Sequence, residues 1–87
     1  MNKELQLVYL GMIDKELDNH LRHEILNILE DVDAEGEWSY QDATLEHEPP
    51  YRTMGFELKK SLTEEQRIEI AYAIDSVFEG FVKIIAI

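Results

Sequence analysis

Apolar positions recur along this chain with two different periods, and each period predicts a different kind of element. Residues 4–10, ELQLVYL, alternate loosely and are rich in Leu, Val and Tyr, which is typical of a strand. Residues 52–60 alternate more cleanly, with Met54, Phe56 and Leu58 on one face and mainly polar side chains on the other. That alternation predicts a half-buried strand.

Two further strands are predicted from spacing and composition. In residues 37–45, Trp38 and Tyr40 stand two residues apart, which is the spacing of one strand face. A loop with two consecutive prolines follows, because proline has no N–H to donate to a sheet. Residues 81–87, FVKIIAI, are rich in β-branched side chains and too few for a stable helix, so they predict a final strand.

The first predicted helix follows Asp14 or Asp18, either of which can serve as its N-cap. Gly36 is the predicted stop beyond its last turn. The apolar stripe of this helix consists of Leu17, Leu21, Ile25, Ile28, Leu29 and Val32. Spacings of three and four place these side chains on one face, so the helix is expected to be amphipathic.

The second predicted helix begins after a capping box formed by Thr63 and Gln66, and Gly80 stands where a C-terminal glycine is expected. Glu64 and Glu65 suit the positive end of its dipole. The predicted buried face of this helix consists of Ile68, Ala71, Tyr72, Ile74, Val77 and Phe78. The pattern predicts a helix that packs broadly on the sheet.

The order of the elements, β-α-β-β-α-β, predicts an α+β fold. Two helices would cover one face of a four-stranded antiparallel sheet, which is the ferredoxin-like arrangement. A chain of 87 residues is too short to enclose two cores, so a single domain over residues 1–87 is expected.

Composition narrows the classes of function. The chain has 19 Asp and Glu against 8 Lys and Arg, for a formal net charge of −11, so it should repel nucleic acid rather than bind it directly. Cysteine is absent, which excludes disulfides and thiolate zinc sites among these residues. No apolar run approaches the ~20 residues of a membrane helix, and no signal-peptide pattern is seen. We therefore expect no membrane association and a cytoplasmic location.

Negative charge is concentrated between residues 23 and 51, where Lys and Arg are absent. The carboxylates of this stretch are Glu24, Glu30, Asp31, Asp33, Glu35, Glu37, Asp42, Glu46 and Glu48. A region of one sign attracts and steers a basic partner, and we predict that the eight carboxylates from Glu30 onward bind one. The alternative is that they are solvated side chains that keep the protein soluble.

Residues 31–42, DVDAEGEWSYQD, resemble an EF-hand calcium loop that follows an amphipathic helix. Asp31, Asp33 and Glu35 fall at the first, third and fifth positions, Gly36 at the turn, and Asp42 at the twelfth. The resemblance implies a calcium site at these residues. It departs from the pattern at the fifth position, where Glu35 is long, and at the twelfth, where Asp42 is short.

No residue pattern marks an enzyme. Four glycines form no phosphate-binding loop, and no nucleophile elbow surrounds a serine. His20 and His23 lie one helical turn apart, but their order with Glu24 matches neither zinc-protease motif, and exposed histidines are expected. We therefore predict no catalytic residue, no metal site outside the calcium resemblance and no cofactor.

The apolar final strand needs cover on both faces. Alternation would place Val82, Ile84 and Ala86 toward one face and Phe81, Ile85 and Ile87 toward the other. Edge strands are normally blunted by charge, proline or a bulge, and this one offers a single lysine. We expect a two-fold homodimer that buries Phe81, Ile85 and Ile87, with Tyr9 or Trp38 on the same bare face. A covering loop is the alternative.

Two functional hypotheses follow from these patterns. The first is a non-enzymatic, small acidic protein-interaction module that binds a basic protein surface, one form of which is an inhibitor that mimics nucleic acid. The second is a small-molecule or calcium-binding regulatory domain, because this order of elements is widely used in ligand-sensing dimers.

Overall fold

A computed structural model describes residues 3–11 and 14–87, and the elements follow the predicted order. They are β1 (Glu4–Leu10), α1 (Lys15–Asp31), β2 (Gly36–Thr44), β3 (Tyr51–Leu58), α2 (Glu64–Phe78) and β4 (Val82–Ala86). The strands form one sheet in the order β2-β3-β1-β4, and every neighbouring pair is antiparallel. This is the ferredoxin-like α+β arrangement, so the predicted fold is confirmed.

The core lies between one face of the sheet and the two helices. Leu5 and Leu7 of β1 are fully buried, as are Met54 and Phe56 of β3, which confirms the predicted inward face of that strand. The helices contribute Leu21, Ile25 and Leu29 from α1, and Ile70 and Ile74 from α2. Each such side chain contributes roughly 1.5–3 kcal/mol relative to an exposed position, so this layer supplies much of the stability.

Helix α1 begins at Asp14, whose side chain accepts hydrogen bonds from the backbone N–H groups of the first turn at 3.0 and 3.1 Å. Its end differs from the prediction, because Asp33 adopts a left-handed conformation with φ 58°. The N–H of Ala34 donates to the carbonyl of Leu29 at 2.8 Å, which closes the helix in a Schellman turn. Gly36 is therefore not the helix stop; it opens β2.

Helix α2 has the predicted capping box, with Thr63 and Gln66 bonded to each other's backbone N–H at 3.1 and 2.9 Å. Its predicted buried face is wrong in part. Ile74 is buried and Phe78 packs against the core, as predicted, and Ile70 is buried although it was not predicted. The other predicted residues are exposed: Ile68, Ala71, Tyr72 and Val77. Apolar residues occur all round this helix, so periodicity could not choose a face. The side chain of Gln66 donates to the carbonyl of Val32 at 2.9 Å and fixes the rotation of α2 against the end of α1.

Edge strand β2 contains a β-bulge at Ser39. Trp38 pairs with Phe56, but Tyr40 pairs with Gly55, so two residues of β2 advance against one of β3. A bulge shifts the alternation of side chains, and the predicted common face for Trp38 and Tyr40 is wrong. Trp38 lies on the helix side, whereas Tyr40 lies on the open face, where its ring covers Gly55 so closely that a Cβ there would be 2.0 Å away.

Edge strand β4 contains a second bulge, at Ile85, opposite the step from Gln6 to Leu7. The shifted alternation turns Ile87 inward, where it packs against the core. The prediction that Phe81, Ile85 and Ile87 share one face is therefore wrong for Ile87. The bulge also blunts an edge for which the sequence had shown only a lysine.

Candidate partner-binding surface

The eight predicted partner-binding carboxylates lie on consecutive elements along one side of the sheet. They occupy the last turn of α1 (Glu30, Asp31), the turn after it (Asp33, Glu35), β2 (Glu37, Asp42) and the loop before β3 (Glu46, Glu48). All eight are exposed. Because β2 is an edge strand, these side chains form one lateral surface, which we call the acidic edge.

Most of the charge on the acidic edge is uncompensated. Only two ion pairs occur within residues 3–11 and 14–87, and Glu35 is the one member of the acidic edge that takes part, at 2.9 Å from Lys59 Nζ. That hydrogen bond and the lysine charge hold the pKa of Glu35 below its usual value. The seven other carboxylates remain available to attract cations.

The acidic edge continues onto the open face of the sheet through pairing that the sequence did not reveal. Glu37 of β2 lies opposite Glu57 of β3, which in turn lies opposite Glu4 of β1. Side chains directly opposite each other have Cβ atoms about 5 Å apart, so like charges in this row repel one another. Knowledge of the strand register would have revealed this row, but the bulge in β2 prevents the register from being deduced from the sequence.

An aromatic side chain lies beside the acidic edge on the helix side. The guanidinium of Arg22 sits 4.1 Å from the centroid of the Trp38 ring, a cation–π contact. Trp38 remains partly exposed. Tryptophan is common among the residues that dominate binding energy at interfaces. Trp38 is therefore a candidate anchor that sequence reasoning missed, because its face was misassigned.

The calcium loop implied by the resemblance does not form. Residues 36–42 belong to β2, and Asp42 pairs with Thr53 rather than turning back toward Asp31. Throughout the described residues, no group of three or more His, Cys, Asp and Glu side chains lies close enough to hold a metal ion. His20 and His23, the other residues considered for metal binding, project into solvent from α1.

A pocket of about 540 Å³ opens at the end of the sheet where α1 ends and α2 begins. It is lined by the turn after α1 and by residues 59–63, and it contains both charges of the pair formed by Glu35 and Lys59. Lys60, Ser61 and Gln66 add polar groups to the lining. This arrangement has room for a small polar molecule.

A buried polar network, which no local sequence pattern predicted, lies at the opposite end of β3. Asp18 accepts hydrogen bonds from Tyr9 Oη at 2.6 Å and from Arg52 Nε at 3.1 Å, and a second Arg52 nitrogen completes a bidentate pair. Gln41 Nε2 donates to Tyr9 Oη at 2.8 Å. Burial, followed by the hydrogen bond to Asp18, raises the pKa of Tyr9. These groups satisfy one another, so the network joins α1 to three strands.

The predicted dimer residues lie in two different environments, two of them on the surface and one against the core. Phe81 and Ile85 remain about half exposed at β4, and the Phe81 ring lies 6.2 Å from the ring of Tyr9. Ile87 packs against the core. Tyr9 is buried under the helices, so the expectation that it or Trp38 joins a bare apolar face is wrong. Self-association itself stays a prediction.

Comparison of the chain with protein-family models, with curated proteins and with solved structures finds no match. Within the described ranges, no helix combines the length and apolar character required to span a bilayer. The cytoplasmic location stays a prediction.

Proposed function

We propose that this protein is a non-enzymatic interaction module that binds a basic surface of a protein partner through the acidic edge. The observation that carries the proposal is the line of exposed carboxylates along β2 and its flanking turns, seven of them without an ion pair in the described part of the chain. Such a line produces a one-signed field that steers a cationic partner toward it and suppresses binding of anionic ones.

The proposal includes inhibition by mimicry of nucleic acid. An extended strand that carries carboxylates presents a row of negative charge, as a phosphate backbone does. A protein groove that binds nucleic acid is lined with Lys and Arg, so it would accept this edge. The partner is then a nucleic-acid-binding protein, and the bound module blocks its groove.

The test uses two variants that each remove two negative charges. The edge variant is Glu37→Gln and Glu46→Gln, both exposed and outside the ion pairs. The matched control is Glu16→Gln and Glu79→Gln, which are also exposed and unpaired but lie outside the acidic edge. Both variants have the same net charge, so a difference between them reports position rather than total charge.

Partners captured by the full chain are purified, and their affinity and DNA binding are measured in about 0.15 M salt, where the Debye length is about 8 Å. The edge variant should bind about tenfold more weakly, equivalent to about 1.4 kcal/mol, and should no longer displace DNA. The control should change affinity by about twofold or less. Equal weakening by both variants, or capture of no basic protein, would refute the proposal.

We also propose a two-fold homodimer that forms through β4, where Phe81 and Ile85 are exposed on the edge opposite to β2. This geometry keeps the two acidic edges at the outer ends of the assembly, which limits repulsion between copies of charge −11. Ile85→Lys should dissociate the dimer. A light-scattering mass of one chain for the unmodified protein at tens of micromolar, in about 0.15 M salt, would contradict it.

A second candidate function is a regulatory domain that binds a small molecule, and the pocket beside Lys59 and Lys60 favours it. A ligand that binds only the native state raises the melting temperature. Thermal melts with small polar anions test this pocket. Calcium at millimolar concentration should give no shift, because residues 36–42 of the implied loop belong to β2 and hold Asp42 away from Asp31.

A further inference from the structure

Helix α2 carries an exposed apolar pair on the side that faces away from the sheet. Ile68 is 63% exposed and Tyr72 is 75% exposed, and they lie one helical turn apart. Ile70 and Ile74 on the other side already supply the core contacts of this helix. Side chains at this spacing are neighbours on a helix surface, so Ile68 and Tyr72 form a short ridge. The fold does not use this ridge.

Carboxylates surround the ridge. Glu64, Glu65, Glu69 and Asp75 are all exposed, and none forms an ion pair within the described residues. The single basic residue of α2 is Arg67. An apolar centre with a charged rim is the usual composition of a protein-binding surface. Here the rim has one sign.

We infer that the outer surface of α2 binds a cationic amphipathic helix of a partner protein. The apolar face of such a helix would cover Ile68 and Tyr72, and Lys or Arg residues beside that face would meet the four carboxylates. Burying two large side chains that are mostly exposed supplies the apolar contribution to affinity. The negative rim selects the charge of the partner.

The same charges argue against two other occupants. A second copy of this chain on a two-fold axis would place the four carboxylates against an identical set, which costs energy at every contact. A membrane surface carries anionic lipids, which repel the rim. A cationic helix is the occupant that satisfies both the ridge and the rim.

This surface is separate from the acidic edge, so the inference does not depend on the proposed function. Helix α2 packs beside β4, whereas α1 packs beside β2, at the other side of the sheet. The two surfaces can therefore be altered independently. The module would then hold two basic segments, or two parts of one partner.

The experiment uses the full chain and a synthetic peptide of about 18 residues, built from Leu at helical i, i+3, i+4 and i+7 spacing and Lys elsewhere. The control peptide has the same composition in scrambled order. Affinity is measured by calorimetry, and amide chemical shifts locate the contact on the chain. The protein variants are Ile68→Ala with Tyr72→Ala, and the edge variant defined above, which preserves α2. Thermal melts verify that both variants remain folded.

The expected result is binding that shifts amide signals of residues 64–76, with about tenfold weaker affinity for the scrambled peptide and for the Ala variant. The edge variant should weaken binding by about threefold or less, because it changes only the long-range field. Equal affinity for both peptides would show attraction by charge alone and would overturn the inference. So would shifts confined to β2, absence of binding, or an Ala variant with unchanged affinity.

Discussion

The two ion pairs of the described residues stand at opposite ends of β3 and differ in burial and in hydrogen bonding. Arg52 and Asp18 are buried and share their polar atoms with Tyr9 and Gln41. Lys59 and Glu35 are each 66% exposed and meet at 2.9 Å in solvent. Both pairs bridge elements distant in sequence, yet only the buried pair is part of a hydrogen-bonded network. Burial, rather than pairing itself, decides how much each pair matters to the fold.

The difference in burial also gives the two ion pairs different roles: the buried pair contributes to stability, and the exposed pair alters the charge of the acidic edge. Taking two charges out of water is costly, and a buried pair recovers that cost only when its remaining polar atoms are satisfied. The bidentate contact and the Tyr9 hydroxyl meet that condition for Asp18. The exposed pair pays little desolvation and gains little. Its main effect is to neutralise one carboxylate of the acidic edge.

Removing one partner of the buried pair should lower stability more than any other change considered. Arg52→Met should lower the free energy of unfolding by about 3–5 kcal/mol, because the Asp18 carboxylate then stays buried without its cation. Urea denaturation followed by circular dichroism measures the change. The double variant Arg52→Met with Asp18→Asn should recover part of the loss. A change below about 1 kcal/mol would show that water reaches Asp18 freely.

The next effect concerns the tyrosine that completes the network. Tyr9→Phe keeps the ring in the core but removes the hydroxyl that donates to Asp18 and accepts from Gln41. Leaving buried polar groups without a partner should cost about 1–3 kcal/mol, less than the loss of the charge. The same denaturation experiment measures it. Gln41→Leu, which removes only the outer bond, should cost less than Tyr9→Phe, and the reverse order would contradict this account.

Alkaline pH should lower the stability of the unmodified chain through two tyrosines, one of which, Tyr9, belongs to the buried network. Burial and Asp18 raise the pKa of Tyr9, and burial with the charges of Glu4 and Asp42 raises that of Tyr40. Between the unfolded pKa of about 10 and the folded value, the native state binds more protons than the unfolded state, so stability falls as pH rises. The contribution is fully present below pH of about 10 and is lost as pH rises through the folded pKa.

Unfolding measured from pH 9 to 12 tests that sign. Tyr9→Phe and Tyr40→Phe should each make the decline less steep than in the unmodified chain. Slopes equal to that of the unmodified chain in both variants would contradict this account.

The sequence predicted the element order and therefore the fold, because periods of 2 and 3.6 are local properties of each segment. It could not predict the two bulges, since nothing around Ser39 or Ile85 differs from an ordinary strand residue. Each bulge reverses the faces beyond it, which misplaced Trp38 and Ile87. The buried face of α2 could not be predicted either, because apolar side chains occur all round that helix. The contact of Gln66 with the end of α1, which fixes the rotation of α2, is a tertiary contact.

The candidate site was likewise predictable where its residues are close in sequence, and not where the fold brings distant residues together. The acidic edge was predicted from charge along the chain, since its residues are close in sequence. The row formed by Glu37, Glu57 and Glu4 depends on strand register. The buried network was missed because Asp18 looked like a possible helix cap, and its partner Arg52 lies 34 residues away. Contacts between residues so far apart in the chain depend on the complete topology, so no local sequence pattern predicts them.

The weakest effect on stability should come from the exposed pair formed by Lys59 and Glu35. Lys59 holds the pKa of Glu35 low, so any stability from this contact is present above the unfolded pKa of about 4.5 and is lost as pH falls through the folded value. Both side chains are in solvent, so Glu35→Gln should leave the urea midpoint at pH 7 unchanged within error.

Lys59→Gln should likewise leave the midpoint unchanged, but it frees the eighth carboxylate of the acidic edge. We expect it to bind a captured basic partner slightly more tightly than the unmodified chain, whereas Glu35→Gln should bind slightly more weakly, because it leaves the positive charge of Lys59 without its carboxylate. Titration calorimetry at about 0.05 and 0.15 M salt measures both variants, and screening should shrink the difference at the higher concentration. A clear loss of stability in either variant would mean that exposure does not separate the two ion pairs.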